Sequence, residues 1–166
     1  MKLPEWLEHI SVQHSKAIDM GLDRMREMVG RLDLERPAGK VVIVAGTNGK
    51  GSTVISTESL LLSAGMSVLS SISPHVKIFN ERIRINGEEA LDADICSAFQ
   101  TIDEARLNGN EISLTYFEYS ALASLYLAKI NRVDVAILEI GLGGRLDAFN
   151  VIDADTAVIT SIGLDH

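Results

Sequence analysis

The feature that most constrains this chain is an apolar run, Val41-Val42-Ile43-Val44-Ala45, that passes directly into Gly46-Thr47-Asn48-Gly49-Lys50-Gly51-Ser52-Thr53. A short β-branched run without polar alternation is the pattern of a strand buried on both faces, as in parallel sheets covered by helices. Beyond the glycines, Val54/Leu61 and Ile55/Leu62 recur seven apart and place an apolar stripe on a helix that ends near Gly65. The unit is therefore strand, glycine-rich turn, helix. In such a turn successive backbone N–H groups curl round phosphate oxygens, and the helix N-terminus adds partial positive charge. Lys50 neutralises β/γ oxygens there, and a hydroxyl reaches Mg²⁺. The spelling departs from the common P-loop: Val44 stands where that motif has its first glycine, and Gly51 separates Lys50 from Ser52. A glycine-rich turn with a surface lysine is the bland alternative. The strand before and the helix after favour phosphate binding.

The remaining pattern extends this unit into a sheet. Leu22, Met25, Met28, Val29 and Leu32 have helical spacing over 22–33, and Pro37 and Gly39 follow as breakers. Residues 67–71 read as the next strand. Ile83-Arg84-Ile85 before Asn86-Gly87 reads as a hairpin arm that leaves the sheet. Residues 92–107 and 118–130 have helical spacing and are expected to cover the sheet faces. Residues 133–138 and 156–160 read as two more strands of the buried type. Strands alternating with helices give the fold class: α/β, P-loop-containing, with a mostly parallel, doubly wound sheet flanked by helices.

Composition narrows the function. The 166 residues suit one domain, and 46% are apolar, enough for a real core. With 15 basic against 23 acidic residues the net charge is −8, so no basic face exists for a nucleic acid. The opening MKLPEWLEHISVQHS lacks the apolar segment of a signal peptide, and no run approaches the roughly 18 apolar residues of a membrane span. A cytoplasmic protein is expected. The lone Cys96 has no partner for an internal disulfide and reads as a small buried hydrophobe.

In open parallel sheets ligands gather outside the carboxyl ends of the strands. Here the first strand runs into the glycine-rich loop and the second into Ser71-Ile72-Ser73-Pro74-His75. The third runs into Glu139-Ile140-Gly141-Leu142-Gly143-Gly144-Arg145, and the fourth into 161–166. Hard oxygen donors suit Mg²⁺, so Ser73 and Glu139 are candidate ligands, with His166 a less usual one. Each has a plain structural reading: Ser73 capping a turn, Glu139 pairing with Arg145, His166 as a loop residue. Their joint placement at strand tips favours a site.

With these residues in hand, the chain closely resembles the folylpolyglutamate synthase and dihydrofolate synthase family, relatives of the Mur peptidoglycan ligases. The resemblance rests on Ser15 to Leu22, the loop Gly46 to Ser52, Ser73-Pro74-His75, Asn80-Glu81-Arg82-Ile83, Thr115-Tyr116-Phe117-Glu118, Glu139 to Asn150, and Leu164-Asp165-His166. It implies ATP-dependent amide formation: a carboxylate takes the γ-phosphoryl group, and the amine of L-glutamate attacks the acyl phosphate. It also implies that Thr47, Asn48, Gly49 and Lys50, with Gly51 and Ser52 beside them, hold ATP phosphates. Ser73 and Glu139 would bind one Mg²⁺, and Glu139 with His166 the other, so that Lys50, Glu139 and His166 carry the catalysis. Asp19, Met20, Gly21 and Leu22, then Thr115 to Glu118, then Leu146, Asp147 and Ala148 would wall the pterin-bearing substrate. From the residues alone, Thr115 and Glu118 also spell a helix capping box, and Tyr116 and Phe117 serve equally as core packing.

Family members continue into further sheet elements and a second domain. The resemblance therefore makes 1–166 an incomplete ATP-binding domain that lacks the adenine contacts and a carbamylated lysine. It also implies a monomeric parent that handles both dihydropteroate and folates. Competing readings are a Mur-type ligase acting on a peptidoglycan precursor and a non-catalytic nucleotide-binding module.

Overall fold

The computed structural model describes residues 1–16, 21–141 and 144–163. Its frame is a six-stranded sheet. In chain order the strands are β1 (Lys40–Ala45), β2 (Val68–Ser71), β3 (Ile83–Ile85), β4 (Glu88–Glu89), β5 (Val135–Glu139) and β6 (Thr156–Ile159), and across the sheet the order is β4-β3-β2-β5-β1-β6. The four strands β2, β5, β1 and β6 run parallel, while β3 pairs antiparallel with β2 and β4 antiparallel with β3. The α/β class and the mostly parallel sheet are as expected.

Side-chain alternation explains why β1 and β5 are apolar throughout. Val44, Val135 and Ile137 meet Val54 of α3 (Lys50–Ser63) on one face. Val41, Ile43, Ala136 and Leu138 point into the larger core on the other. That core is built round α5 (Tyr116–Ile130), whose residues 118–125 are all buried. Around it pack α1 (Leu3–Ser11), α2 (Asp23–Leu32) and α4 (Asp92–Leu107). Cys96 is half-buried against this core.

Four expectations need correction. The 83–89 hairpin stays in the sheet: Ile85, Arg84 and Ile83 pair with Leu69, Ser70 and Ser71, and the chain turns at Asn86 (φ 51°) and Gly87 (φ 84°). Its fully buried Ile83 completes the open hydrogen-bonding edge of β2. The helix α4 does not lie on the sheet. It covers α5, α1 and α2 with Ile95, Ala98, Phe99 and Ile102, because α5 is apolar on its outer side as well. In α3, Ile55 faces outward while Val54, Leu61 and Leu62 face the sheet. The strand β6 is not buried on both faces, since it is the edge strand among the described residues and Ile159 is exposed.

Candidate functional site

Register brings the carboxyl ends of the parallel strands together. Val44 of β1 pairs with Glu139 of β5, and Ser71 of β2 pairs with Leu138, so the glycine-rich loop, Glu139 and Ser73 leave the sheet side by side. The backbone continues this alignment, as the Ile140 N–H donates to the Val44 carbonyl at 2.9 Å.

The loop is held open from behind. Gly46 adopts φ 131°, and a Cβ there would fall 2.0 Å from Thr160 Oγ1 and 3.1 Å from the Thr160 nitrogen. Thr160 Oγ1 donates to the Asn48 carbonyl at 2.6 Å, and the Thr47 N–H donates to the Ser161 carbonyl at 2.8 Å. The Thr47 hydroxyl bonds the Gly163 backbone, so it anchors the loop. Gly49 (φ 82°) is the N-cap of α3, whose first turn has neither a side-chain cap nor an acidic residue. Asn48, Gly49 and Ser52 are exposed, and Lys50 and Gly51 are half-exposed. A 14-residue helix thus presents open N–H groups and a lysine, the electrostatics of an anion site.

Beside it, Glu139 is only 5% exposed, and its Oε2 accepts the Ser73 N–H at 3.0 Å. Burial pushes its carboxyl up from the ordinary range, against the opposing pull of the Ser73 N–H and the Lys50 charge. Neither Glu139 Oε1 nor the Ser73 hydroxyl is hydrogen-bonded to a described residue. The Ser73 backbone bond brings a hydroxyl-bearing residue next to this carboxylate, and a cation bound there would relieve the buried charge. Among the described residues no group of three or more His, Cys, Asp or Glu forms a metal shell, and the expected further ligand, His166, lies outside them. The alternative Glu139–Arg145 pairing concerns a side chain that is likewise not described.

The described residues expected to wall a substrate lie in two groups. Arg24 Nε donates to both oxygens of the buried Glu118, at 3.1 and 3.2 Å, and draws the start of α2, with Gly21 and Leu22, to the start of α5. Thr115 and Glu118 form the reciprocal capping box, so their side chains hold this junction rather than face outward. Phe117 lies edge-on to Phe149, with ring centroids 6.1 Å apart, and presses on Gly141, where a Cβ would meet its ring at 2.9 Å. Asp147 is buried; it accepts the Gly141 N–H at 2.8 Å and the Phe149 N–H at 3.0 Å. Ala148 is buried and Leu146 is 45% exposed. Asp19 and Met20 lie outside the described residues.

Two residues that hold these segments escaped the sequence reading: Thr160 and Arg24. Only a threonine directly after a strand hinted at the first.

Known proteins match this arrangement in sequence and shape. The dihydrofolate synthase/folylpolyglutamate synthase of Escherichia coli (strain K12) is 49% identical over 164 residues, which is 99% of this chain and 38% of that protein. The chain belongs to the dihydrofolate synthase/folylpolyglutamate synthase family. Family structures share the fold closely. The E. coli FolC complex with DHPP and ADP superposes with a TM-score of 0.96 at 48% identity, over 100% of this chain and 39% of that one. A bifunctional folylpolyglutamate synthase/dihydrofolate synthase with Mn, AMPPNP and L-glutamate bound gives 0.93 at 47% identity, again over 100% and 39%. No family model matches the chain. The chain spans about 38% of the length of the curated relative. Among the described residues no helix is long and apolar enough to cross a membrane.

Proposed function

We propose that residues 1–166 form the phosphate- and metal-holding part of an ATP-binding domain in a ligase that joins L-glutamate to dihydropteroate and to folates. The observation that carries this is the meeting, at the carboxyl ends of the central strands, of an uncapped helix N-terminus bearing Lys50 with the buried Glu139 carboxylate and the Ser73 that is hydrogen-bonded to it. Similarity to proteins solved with DHPP, ADP, AMPPNP, Mn and L-glutamate supplies the ligand classes.

In this reading, Thr47 to Ser52 orient ATP so that its γ-phosphorus faces the acid substrate, while Lys50 offsets charge that builds on the phosphoryl oxygens. A carboxylate oxygen attacks that phosphorus, the bond to the leaving ADP oxygen breaks, and an acyl phosphate results. The glutamate amine then attacks the acyl carbon, loses a proton, and expels phosphate as the amide forms. A Mg²⁺ held by Ser73 and Glu139, with His166 completing a second position, would neutralise phosphate charge during these steps. Phe117, Leu146 and Ala148 with the Asp19–Leu22 segment would hold the pterin. In the same reading the protein acts as a cytoplasmic monomer.

The test is the full-length protein supplied with ATP, Mg²⁺, L-glutamate and dihydropteroate. Glutamate-dependent ADP release and a product one glutamyl residue heavier are expected. Turnover with a UDP-linked peptide precursor instead would overturn the folate assignment, and ATP binding without turnover on any acid would leave a nucleotide-binding module.

A further inference from the structure

Arg82 ends the short helical turn Phe79–Arg82, and its carbonyl accepts the Ile72 N–H at 2.9 Å, which fixes its backbone next to the segment that leads into Ser73. Its side chain is oriented from two sides. Nε donates to His75 Nδ1 at 2.8 Å, and the guanidinium carbon lies 5.3 Å from the Tyr116 ring centroid and 5.6 Å from that of Phe79. Other buried or half-buried arginines have carboxylates: Arg24 has Glu118, Arg84 has Glu58, and Arg106 has Asp103. Among the described residues Arg82 has none, and its two terminal nitrogens make no hydrogen bond. A neutral apolar side chain would cover this ring pair without the cost of desolvating a cation. A guanidinium packed against the edge-to-face pair of Phe79 and Tyr116 and tied at Nε, with its two terminal nitrogens unbonded among the described residues, is preorganised for a bidentate oxyanion.

We infer that Arg82 binds the carboxylate of the acid substrate that becomes phosphorylated, and holds it between the Tyr116 side of the wall and Ser73. This rests on the ligase reading above. Dihydropteroate has a single carboxylate, so it isolates the contact.

The experiment compares full-length wild type with Arg82→Gln and Arg82→Lys in steady state, varying dihydropteroate and ATP separately. Loss of a charge-assisted, bidentate contact should lower kcat/KM for dihydropteroate about 30–100-fold in Arg82→Gln. In Arg82→Lys, which keeps the charge without the fork, the expected loss is about tenfold. The KM for ATP should stay within about threefold in both, since the contact is to the acid. Unchanged kcat/KM for dihydropteroate, or a loss confined to ATP, would overturn the assignment. Should Arg82→Gln melt early, Arg82→Lys decides, because a purely structural arginine predicts wild-type kinetics in the folded lysine variant. A wild type inactive on every folate would overturn the ligase reading itself, whereas an active wild type with indifferent Arg82 variants would overturn only this inference.

Discussion

Gly46→Ala should be the most disruptive single methyl addition in the phosphate loop, and the structure sets its size. At φ 131° an alanine carries backbone strain of about 1–3 kcal/mol. Its Cβ would stand 2.0 Å from Thr160 Oγ1 and 3.1 Å from the Thr160 backbone nitrogen; the hydroxyl can rotate away but the nitrogen cannot. Rotation abandons the hydroxyl's bond to the Asn48 carbonyl, worth about 1 kcal/mol. The sum is about 2–4 kcal/mol, or about 5–15 °C in Tm for a chain of this length. Gly51→Ala is the control in the same loop: its Cβ meets nothing nearer than Ile72 at 3.9 Å, and inside α3 alanine should stabilise by about 0.5–1 kcal/mol. Thermal and urea unfolding of residues 1–166 measures both. A Gly46→Ala variant within about 0.5 kcal/mol of wild type, the range of ordinary surface changes, would refute the packing of Thr160 against the loop.

Glu58→Ala strips Arg84 of its carboxylate; although Glu58 is buried, the Arg84 side chain is 25% exposed, so the cost by urea unfolding should be about 2–3 kcal/mol, below that of a fully buried pair. Burial raises the Glu139 carboxyl, so in its ionised form it works against folding. Glu139→Gln, whose amide oxygen still accepts the Ser73 N–H, should therefore melt above wild type at neutral pH in metal-free buffer, and the gain should vanish below the ordinary glutamate value of 4.5. Gly141→Ala pushes its methyl into the Phe117 ring at 2.9 Å, so in the full-length protein the KM for dihydropteroate should rise about tenfold with little change for ATP, as read in steady-state kinetics.

The sequence made local features legible. Hydrophobic period marked β1, α3 and α4, the last to the residue, and Thr115 with Glu118 announced the cap that the structure contains. Strand-tip logic put Ser73 beside Glu139 because register in a parallel sheet follows from burial of both strands. What stayed hidden depends on neighbours distant in sequence. Nothing local tells that the 83–89 hairpin completes the edge of β2, or that α5 is buried so fully that α4 must cover it instead of the sheet. Nor do single residues reveal that Arg24 occupies Glu118, or that Thr160 requires glycine at position 46. The helix signal for α5 likewise missed Tyr116 and Phe117, since aromatic residues at a helix start read equally as loop or wall.

The most direct test of the account is turnover by full-length Glu139→Gln with saturating ATP, Mg²⁺, L-glutamate and dihydropteroate. The variant keeps the Ser73 hydrogen bond and the fold but loses the charge that would hold a cation beside the phosphate loop. The account predicts a folded protein whose glutamate-dependent ADP release falls by about 10³-fold or more, the scale of losing one electrostatic group at a reacting centre. A folded Glu139→Gln enzyme that retains most of the wild-type rate would contradict it.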